Sequence, residues 1–558
     1  MKRNLFLSAI TSAALLFLTA ACSNDDNTEP QQEPVQTVQF SFTNEDFGED
    51  ETPSRATSVA EAKPQILDLG DCEAEITVEN EPAAKKTRGA QTPANGHYTI
   101  RAYQAGTLKG EMKGTFNGGT FTPDVANKGS IKLAHGTYDF VAFNDDVIPS
   151  GNELTVARDK AATAMIGIAN AESINQEPDQ QVTFTMKHVG ARLRTQFVCQ
   201  KHIPNAITAT LEQTAANVVP ASIAYNPTTK VYTATNGVIN PSTCNSPANI
   251  EAMYSASNFG QDYAYTSTSA DYHYFLPGTE AANLKLSFSA GTVFWKPLTA
   301  TQKLNIALSM QSNKSYLVKI KLKPNYTYLM SDGTTGHFKD TAIGGAPAAT
   351  AKTPIALVVD KDNHIAIALN EANGGATIRW CNNTTNSYWY LQTNTHMIMS
   401  SMPEDAFTSQ TTNGVDETWD PSYSTSIVTG NKVKGQNPDF LAFKAAADYN
   451  PGVAYTGSPA LQWYLPSAND FLLPIVVSGF GAKIAWIYKA YAYYQNLVDV
   501  AFTQVGGTSI FTTGFKSYWT STEYRFNQAY CVNLGMVGMP WDTTYKNNPG
   551  LVRPFVKY

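Results

Sequence analysis

Short runs of Val, Ile, Thr, Tyr and Phe recur along most of this chain, each broken by Gly, Pro, Asn or Asp, and this pattern confines it to a mainly β fold. In VQTVQFSFTNEDF, Val38, Phe40 and Phe42 alternate on one side, a period of two that suits a strand and not a helix. In VTFTMKHVGARLRTQFVC, Val182, Phe184 and Met186 hold one register and Leu193, Thr195 and Phe197 another, with Gly190 between them as a bulge or bend. Further strands are expected in CEAEITVEN, HYTIRAYQA, GTFNGGTFTP, LAHGTYDFVAFN, GNELTVARD, ITATLEQT, YHYFLPGT, LKLSFSAG and KSYLVKIKLK.

A chain of 558 residues exceeds one ordinary core, and length alone suggests about three domains. Residues 36–180 and 181–325 read as two all-β sandwiches. Residues 326–558 change in character. A strand pair around PIALVVDKDNHIAIAL precedes helical signals in DFLAFKAAADY and SANDFLLPIVVS, and SYWTSTEY, QAYCVNLG and GLVRPFVKY read as terminal strands, an α+β pattern. Ser467 and Asp470 have the spacing of a capping box ahead of the apolar Phe471, Leu472 and Ile475.

The first residues read as an export signal. Lys2 and Arg3 precede an apolar stretch from Leu5 to Leu18 that is too short to remain as a membrane span, so residues 1–21 are expected to be removed. Thr19-Ala20-Ala21-Cys22 resembles the lipobox of bacterial lipoproteins, which makes Cys22 the expected acylated residue. Thr19 stands where a branched aliphatic residue is commoner, and an ordinary secretory cleavage beside Cys22 is the alternative. Residues 22–35 form a polar tether, and Ser23-Asn24-Asp25-Asp26 resembles the acidic signal that sends Bacteroidetes lipoproteins to the outer face of the outer membrane.

Net charge of -7 without a Lys/Arg cluster argues against nucleic acid as a partner. No CxxC or His/Cys spacing suggests zinc, and no GxSxG, phosphate loop, HExxH or EF-hand loop is present. No catalytic residue, metal or cofactor is therefore expected. His188, between two strand halves, reads as a packed residue. After Cys22 there are five cysteines. Cys199 with Cys244 and Cys381 with Cys531 would pair within single blocks in an oxidising compartment, and buried thiols are the alternative.

The order LAHGTYDFVAFN, VTFTMKHVGARLRTQF, SYLVKIKLK resembles the fimbrillin family of Bacteroidetes, the subunits of type V pili, across residues 36–325. The resemblance implies two transthyretin-like β-sandwiches, export as a lipoprotein, and removal of the first strand by an arginine-directed protease. A strand from the adjacent subunit then fills the groove. Arg55, followed by Ala56 in the acidic loop GEDETPSRATS, suits that cut. Arg88 in KKTRGA is the rival, although cutting there would also release CEAEITVEN.

In the third block, SDGT, IALVVDKDNHIAIAL, WYLPSANDF, YWTSTEY, AYCVNL and VRPF resemble the C-terminal domain shared by FISUMP-type Bacteroidetes surface proteins and the Legionella collagen-like adhesin. That resemblance implies a C-type-lectin-like fold. Trp463, Trp519, Glu523 and Arg553 match its motif positions, and read structurally as core tryptophans and an ion pair between Glu523 and Arg553. Glu-Pro-Asn, Gln-Pro-Asp and Trp-Asn-Asp segments are absent, so a calcium-bound sugar site is not expected. Trp389, Tyr390, Trp541 and Tyr545 are the candidates for stacking on a sugar or a protein surface, with Trp541 foremost, in a Pro-Trp-Asp loop between two terminal strands. VRPFVKY carries a motif and is expected to fold into this block, which leaves no donor strand and points to the tip subunit of a pilus. Expected partners are other pilus subunits, a host or bacterial surface glycan or protein, and the outer membrane through the lipid of the precursor. The alternatives are a surface lipoprotein that binds glycan or protein without polymerising, and an enzyme on the lectin-like fold.

Overall fold

A computed structural model of the chain describes residues 35–48, 64–69, 72–81, 92–125, 131–175, 180–200, 203–249, 263, 265–293, 296–298, 300–303, 308–382, 384, 386–400, 405–406, 409–471, 499–510, 516–534 and 541–558. The fold is mainly β; among the described residues the short α-helices lie in the third block, and single 3-10 turns such as Arg158–Lys160 and Ala281–Asn283 occur in the others.

Phe40 and Phe42 lie in the opening strand, Gln39–Glu45, and Val38 just before it, with all three side chains buried as the alternation predicts. This strand lies near one end of an eight-stranded sheet. Beyond it come Gln181–His188, Met165–Ile174, Gly136–Asn144, Gly96–Gln104, Thr107–Asn117 and Thr120–Pro123, with the two-residue Thr92–Pro93 on its other side. Each ladder is antiparallel except that of the opening strand, which runs parallel to Gln181–His188 with Gln39 opposite Gln181 and Glu45 opposite Lys187. The sheet curls until its two ends face each other. Phe42 lies 5.0 Å from Phe116, and Phe40 6.2 Å from Phe121, ring centre to ring centre.

The second sandwich stacks two sheets. One has the order Tyr265–Thr268, Ala191–Cys199, Ser315–Pro324, Cys72–Asn80, Gln65–Asp68, and the other Ser242–Ser246, Ile207–Gln213, Leu284–Ala290, Ala300–Lys303. Their inner faces share one core that includes Ile76, Phe197, Leu211, Phe288 and Ile320. A further four-stranded sheet, Ile148–Ser150, Glu153–Ala157, Val219–Asn226 and Val231–Gly237, takes strands from both halves, and its core joins Phe143 and Leu154 to Ile223, Tyr225 and Leu276.

Two strands thus lie outside the block expected for them. CEAEITVEN, read as part of residues 36–180, pairs antiparallel with Ser315–Pro324 in the second sandwich. VTFTMKH, read as the start of the second block, completes the first sheet. The crossing from one sheet to the other falls at Val189–Gly190, between His188 and Ala191, and not at residue 181. Alternation reports which face of a strand is buried and is silent on which strand lies beside it.

In the third block a six-stranded sheet has the order Thr335–His337, Thr327–Met330, Pro354–Asp360, Ile365–Ala368, Phe555–Lys557, Gln462–Tyr464, and Lys516–Arg525, Gln528–Leu534 and Trp541–Tyr545 form a second sheet. The Asp-Lys-Asp-Asn turn forms as read, with the Asp360 carboxylate accepting from the amides of Asp362 and Asn363. DFLAFKAAADY supplies the helix Leu441–Ala447. Ser467 and Asp470 bond reciprocally, Asp470 N–H donating to Ser467 Oγ at 3.2 Å and Ser467 N–H to Asp470 Oδ2 at 2.8 Å. The segment from Leu472 onward that they were read to cap lies outside the described residues. VRPFVKY folds into the block, its strand Phe555–Lys557 held between Ile365–Ala368 and Gln462–Tyr464.

Candidate functional site

The opening strand occupies a groove whose floor is aromatic. Phe42 stacks on Tyr98 at 4.7 Å and 9° and on Phe184 at 5.3 Å, while Phe40 meets Phe184 at 6.0 Å and Phe140 at 6.1 Å. Burial raises the pKa of Tyr98, whose hydroxyl donates to Ala94 O at 3.0 Å. Along the strand, seven register pairs join it to Gln181–His188, and Ser41 and Thr183 exchange a hydroxyl hydrogen bond at 2.8 Å. On the outer side, the paired strand among the described residues is only Thr92–Pro93, which meets Thr43 and Asn44. Just before it, Val35–Thr37 pairs with Lys132–Ala134.

This geometry permits removal. Among the described residues, two register pairs to Thr92–Pro93 are what hold the outer side of the opening strand. Its departure would bare the Phe184, Phe140 and Tyr98 faces together with the backbone edge of Gln181–His188, a template for another strand. Burying Val38, Phe40, Phe42 and Phe47 contributes about 6–12 kcal/mol in total, at about 1.5–3 kcal/mol for each side chain.

Past Glu45 the chain turns from the sheet into the second sandwich. Phe47 is buried and lies flat on the half-buried His188 ring at 3.9 Å and 9°, with the Arg192 guanidinium 5.0 Å from its centre and Tyr274 at 5.9 Å. Asn313, buried and at φ 61°, donates its side-chain amide to Glu45 Oε1 at 3.0 Å, and its carbonyl accepts from Gly48 N–H at 2.8 Å. Asn313 Oδ1 accepts from His188 N–H at 3.1 Å. Burial lowers the His188 pKa to about 4. His188 is thus packed, as read, and faces an aromatic ring. The contribution of Phe47 was missed because it falls outside the period of two set by Val38, Phe40 and Phe42. An aromatic residue out of register just past a strand was the available signal.

Cys22, Arg55, Ala56 and Arg88 lie outside the described residues. The described cysteines, Cys72, Cys199, Cys244, Cys381 and Cys531, are buried thiols, and neither the Cys199–Cys244 nor the Cys381–Cys531 disulfide is formed. Burial pushes Cys244 and Cys531 up to about 11 and Cys381 to about 12. Among the described residues, no three His, Cys, Asp or Glu side chains converge as a metal ion would require.

In the third block Trp463 and Trp519 are core residues. Glu523 and Arg553 do not pair with each other. Glu523 binds the Lys546 ammonium and accepts from the amides of Thr393 and Asn394 at 3.0 Å, all in a fully buried setting. Arg553 pairs with Glu371 at 3.2 Å and donates to the carbonyls of Ala368 and Leu369 at 2.8 and 2.6 Å. The Lys546 ammonium that meets Glu523 faces the Trp380 ring, whereas the Arg553 guanidinium faces Phe502. Trp541 opens the strand Trp541–Tyr545 opposite Val532 and is not in a loop as expected; its side chain lies outside the description. Tyr390 and Tyr545 are exposed, at 44% and 50%, whereas Trp389 is half-buried with its ring 4.5 Å from that of Tyr390. Lys546, next to Tyr545, is buried and donates to Leu391 O at 2.9 Å, which ties the segment after Tyr390 to the segment after Tyr545.

No protein-family model matches the chain, and no curated protein matches it. Among solved structures it is similar to a fimbrial protein from Bacteroides ovatus, at 12% identity over 95% of this chain and 100% of that one, with a TM-score of 0.24. A fimbrial protein from Bacteroides vulgatus is similar at 12% identity over 41% of this chain and 91% of that one, with a TM-score of 0.26. A tip fimbrial protein from Porphyromonas gingivalis with a C-terminal truncation is similar at 12% identity over 42% of this chain and 93% of that one, with a TM-score of 0.23. These neighbours are described as fimbrial proteins. Identities and TM-scores this low establish neither a common domain arrangement nor a common function.

Proposed function

We propose that this chain is a structural and adhesive subunit of a surface pilus, placed at its tip and assembled by strand exchange. The precursor is anchored through Cys22, a protease cuts after Arg55, and the segment that leaves carries the opening strand with it. One observation carries the reading. Phe40 and Phe42 are buried in the core of a sheet in which their strand is second from one end, held on its inner side by a parallel ladder and on its outer side, among the described residues, only by Thr92–Pro93, so that its removal would leave an apolar face in need of a new strand. The third block would bind a surface glycan or protein through exposed aromatics, with Tyr390 and Tyr545 as its first contacts.

The test is the N-terminus of the protein on the cell surface. Mass spectrometry should find Ala56 as the first residue in assembled pili, and Arg55→Ala should keep the opening strand attached and hold the chain out of pili, while Arg88→Ala does neither. A surface form that begins at Cys22 and never enters a polymer would replace this reading with that of a non-polymerising lipoprotein.

A further inference from the structure

The proposed exchange removes more than a strand. A cut between Gly48 and the second sandwich also withdraws Phe47, and with it the contacts of residues 45–48 to Asn313. The cavity left behind is specific in its chemistry. His188 belongs to the first sheet, and Arg192 and Tyr274 belong to strands of the second sandwich, so the ring of Phe47 ties the two halves together. The flat imidazole and the guanidinium both present surfaces that favour the face of an aromatic ring. An aliphatic side chain would leave the stacking surface incompletely covered.

We propose that this socket is a second, aromatic-selective subsite of the acceptor groove, filled after processing by an aromatic side chain on the strand donated by another subunit. The inference rests on the strand-exchange reading and adds a rule for the partner. A donor that follows the direction and register of the opening strand places large apolar residues where Val38, Phe40 and Phe42 now stand. It then places an aromatic residue five positions beyond the last of them, as Phe47 is placed beyond Phe42. Strand insertion thereby also restores the link between the sandwiches. A donor lacking the aromatic residue fills the groove but leaves that link open.

The experiment uses the full chain, cut once between residues 49 and 63 by a protease whose recognition sequence is placed there. Labelled peptides of residues 35–48, VQTVQFSFTNEDFG, are offered in excess, and exchange is followed by fluorescence anisotropy. The native peptide should exchange in. A Phe42→Ala peptide should not compete with it, because the groove itself is no longer filled. Phe47→Ala and Phe47→Leu peptides should bind about tenfold more weakly than the native peptide. Equal binding by the Phe47→Leu peptide would overturn aromatic selectivity, and equal binding by Phe47→Ala would overturn the subsite while leaving strand exchange intact. If the native peptide does not enter the cut chain, strand exchange fails for this protein and the subsite fails with it.

Discussion

Gly190 approaches Ala161 so closely that a Cβ built on it would lie 2.1 Å from the Ala161 carbonyl oxygen. The chain passes from the first sheet to the second at this point, and the backbone it meets has no flexible side-chain end to give way. Gly190→Ala should destabilise the sandwich pair by about 1–3 kcal/mol, the usual range for overpacking. A lowered urea midpoint checks this, and an unchanged one would show that the Ala161 segment yields.

Phe42→Ala removes the ring that touches Tyr98, Phe116, Phe121 and Phe184. The expected loss is about 3–5 kcal/mol. Amides in Gln181–His188 should exchange hydrogen faster, since the opening strand lets go more often, while amides in Pro354–Asp360 keep their rates. Equal acceleration in both places would mean that the effect is not local to the groove.

Lys546→Met leaves the Glu523 carboxylate buried without its cation, and the third block should lose about 3–5 kcal/mol. Combining it with Glu523→Gln should recover part of the loss, because the carboxylate that lost its cation is then neutral, while buried Lys434 and Glu417 remain as they were. Melting temperatures of the single and double variants decide it. A double variant no better than the single one would show that the hydrogen bonds from Thr393 and Asn394 matter more than the charge pair.

Two histidines make acid unfavourable. His273, fully buried with Nδ1 2.9 Å from Ser242 Oγ, and half-buried His188 both have pKa values lowered to about 4, chiefly by burial. The unfolded chain takes up protons near pH 6.5 that the folded one refuses until about pH 4. Stability is therefore full above about pH 6.5 and falls as the pH drops towards 4, by up to about 1.4 kcal/mol per pH unit for His273 and by less for His188. Denaturation midpoints at pH 7 and pH 5 should differ in that sense, and His273→Gln should flatten the difference. A midpoint that rises on acidification would contradict the assignment.

Because Cys244, Cys381 and Cys531 are buried with pKa values pushed to about 11 or 12, a thiol reagent at neutral pH should not modify them in the folded protein. It should do so in denaturant without any reductant. A requirement for reductant would restore the two disulfides.

Local pattern carried some of this fold and not the rest, for reasons visible in single residues. Val38, Phe40 and Phe42 announce a strand with a buried face because burial has the period of the backbone. Their partner, Gln181–His188, is invisible at that scale, since Ser41 and Thr183 meet across 142 residues of sequence. CEAEITVEN was recognisable as a strand, but its place beside Ser315–Pro324 is a matter of long-range register. Trp463 and Trp519 were legible as core, whereas the partners of Glu523 and Arg553 were not, because Lys546 and Glu371 carry no local signal that sets them apart from other charged residues. Within the groove the burial of Phe40 and Phe42 was legible, whereas the aromatic floor of Tyr98, Phe140 and Phe184 under them was not. The socket around Phe47 needed three segments brought together, and no single stretch of sequence contains it.

The parallel ladder between the opening strand and Gln181–His188 also sets a clock on synthesis. A chain made from its N-terminus presents Phe40 and Phe42 long before Phe184 exists, and at about 5–20 residues per second a gap of 142 residues lasts roughly 7–30 s. Through that interval the opening strand is an unpaired apolar edge, prone to join whatever β edge is nearby. Whatever delivers this chain to its destination must shield those residues for that time, or accept that some chains pair with a neighbour before they can pair with themselves.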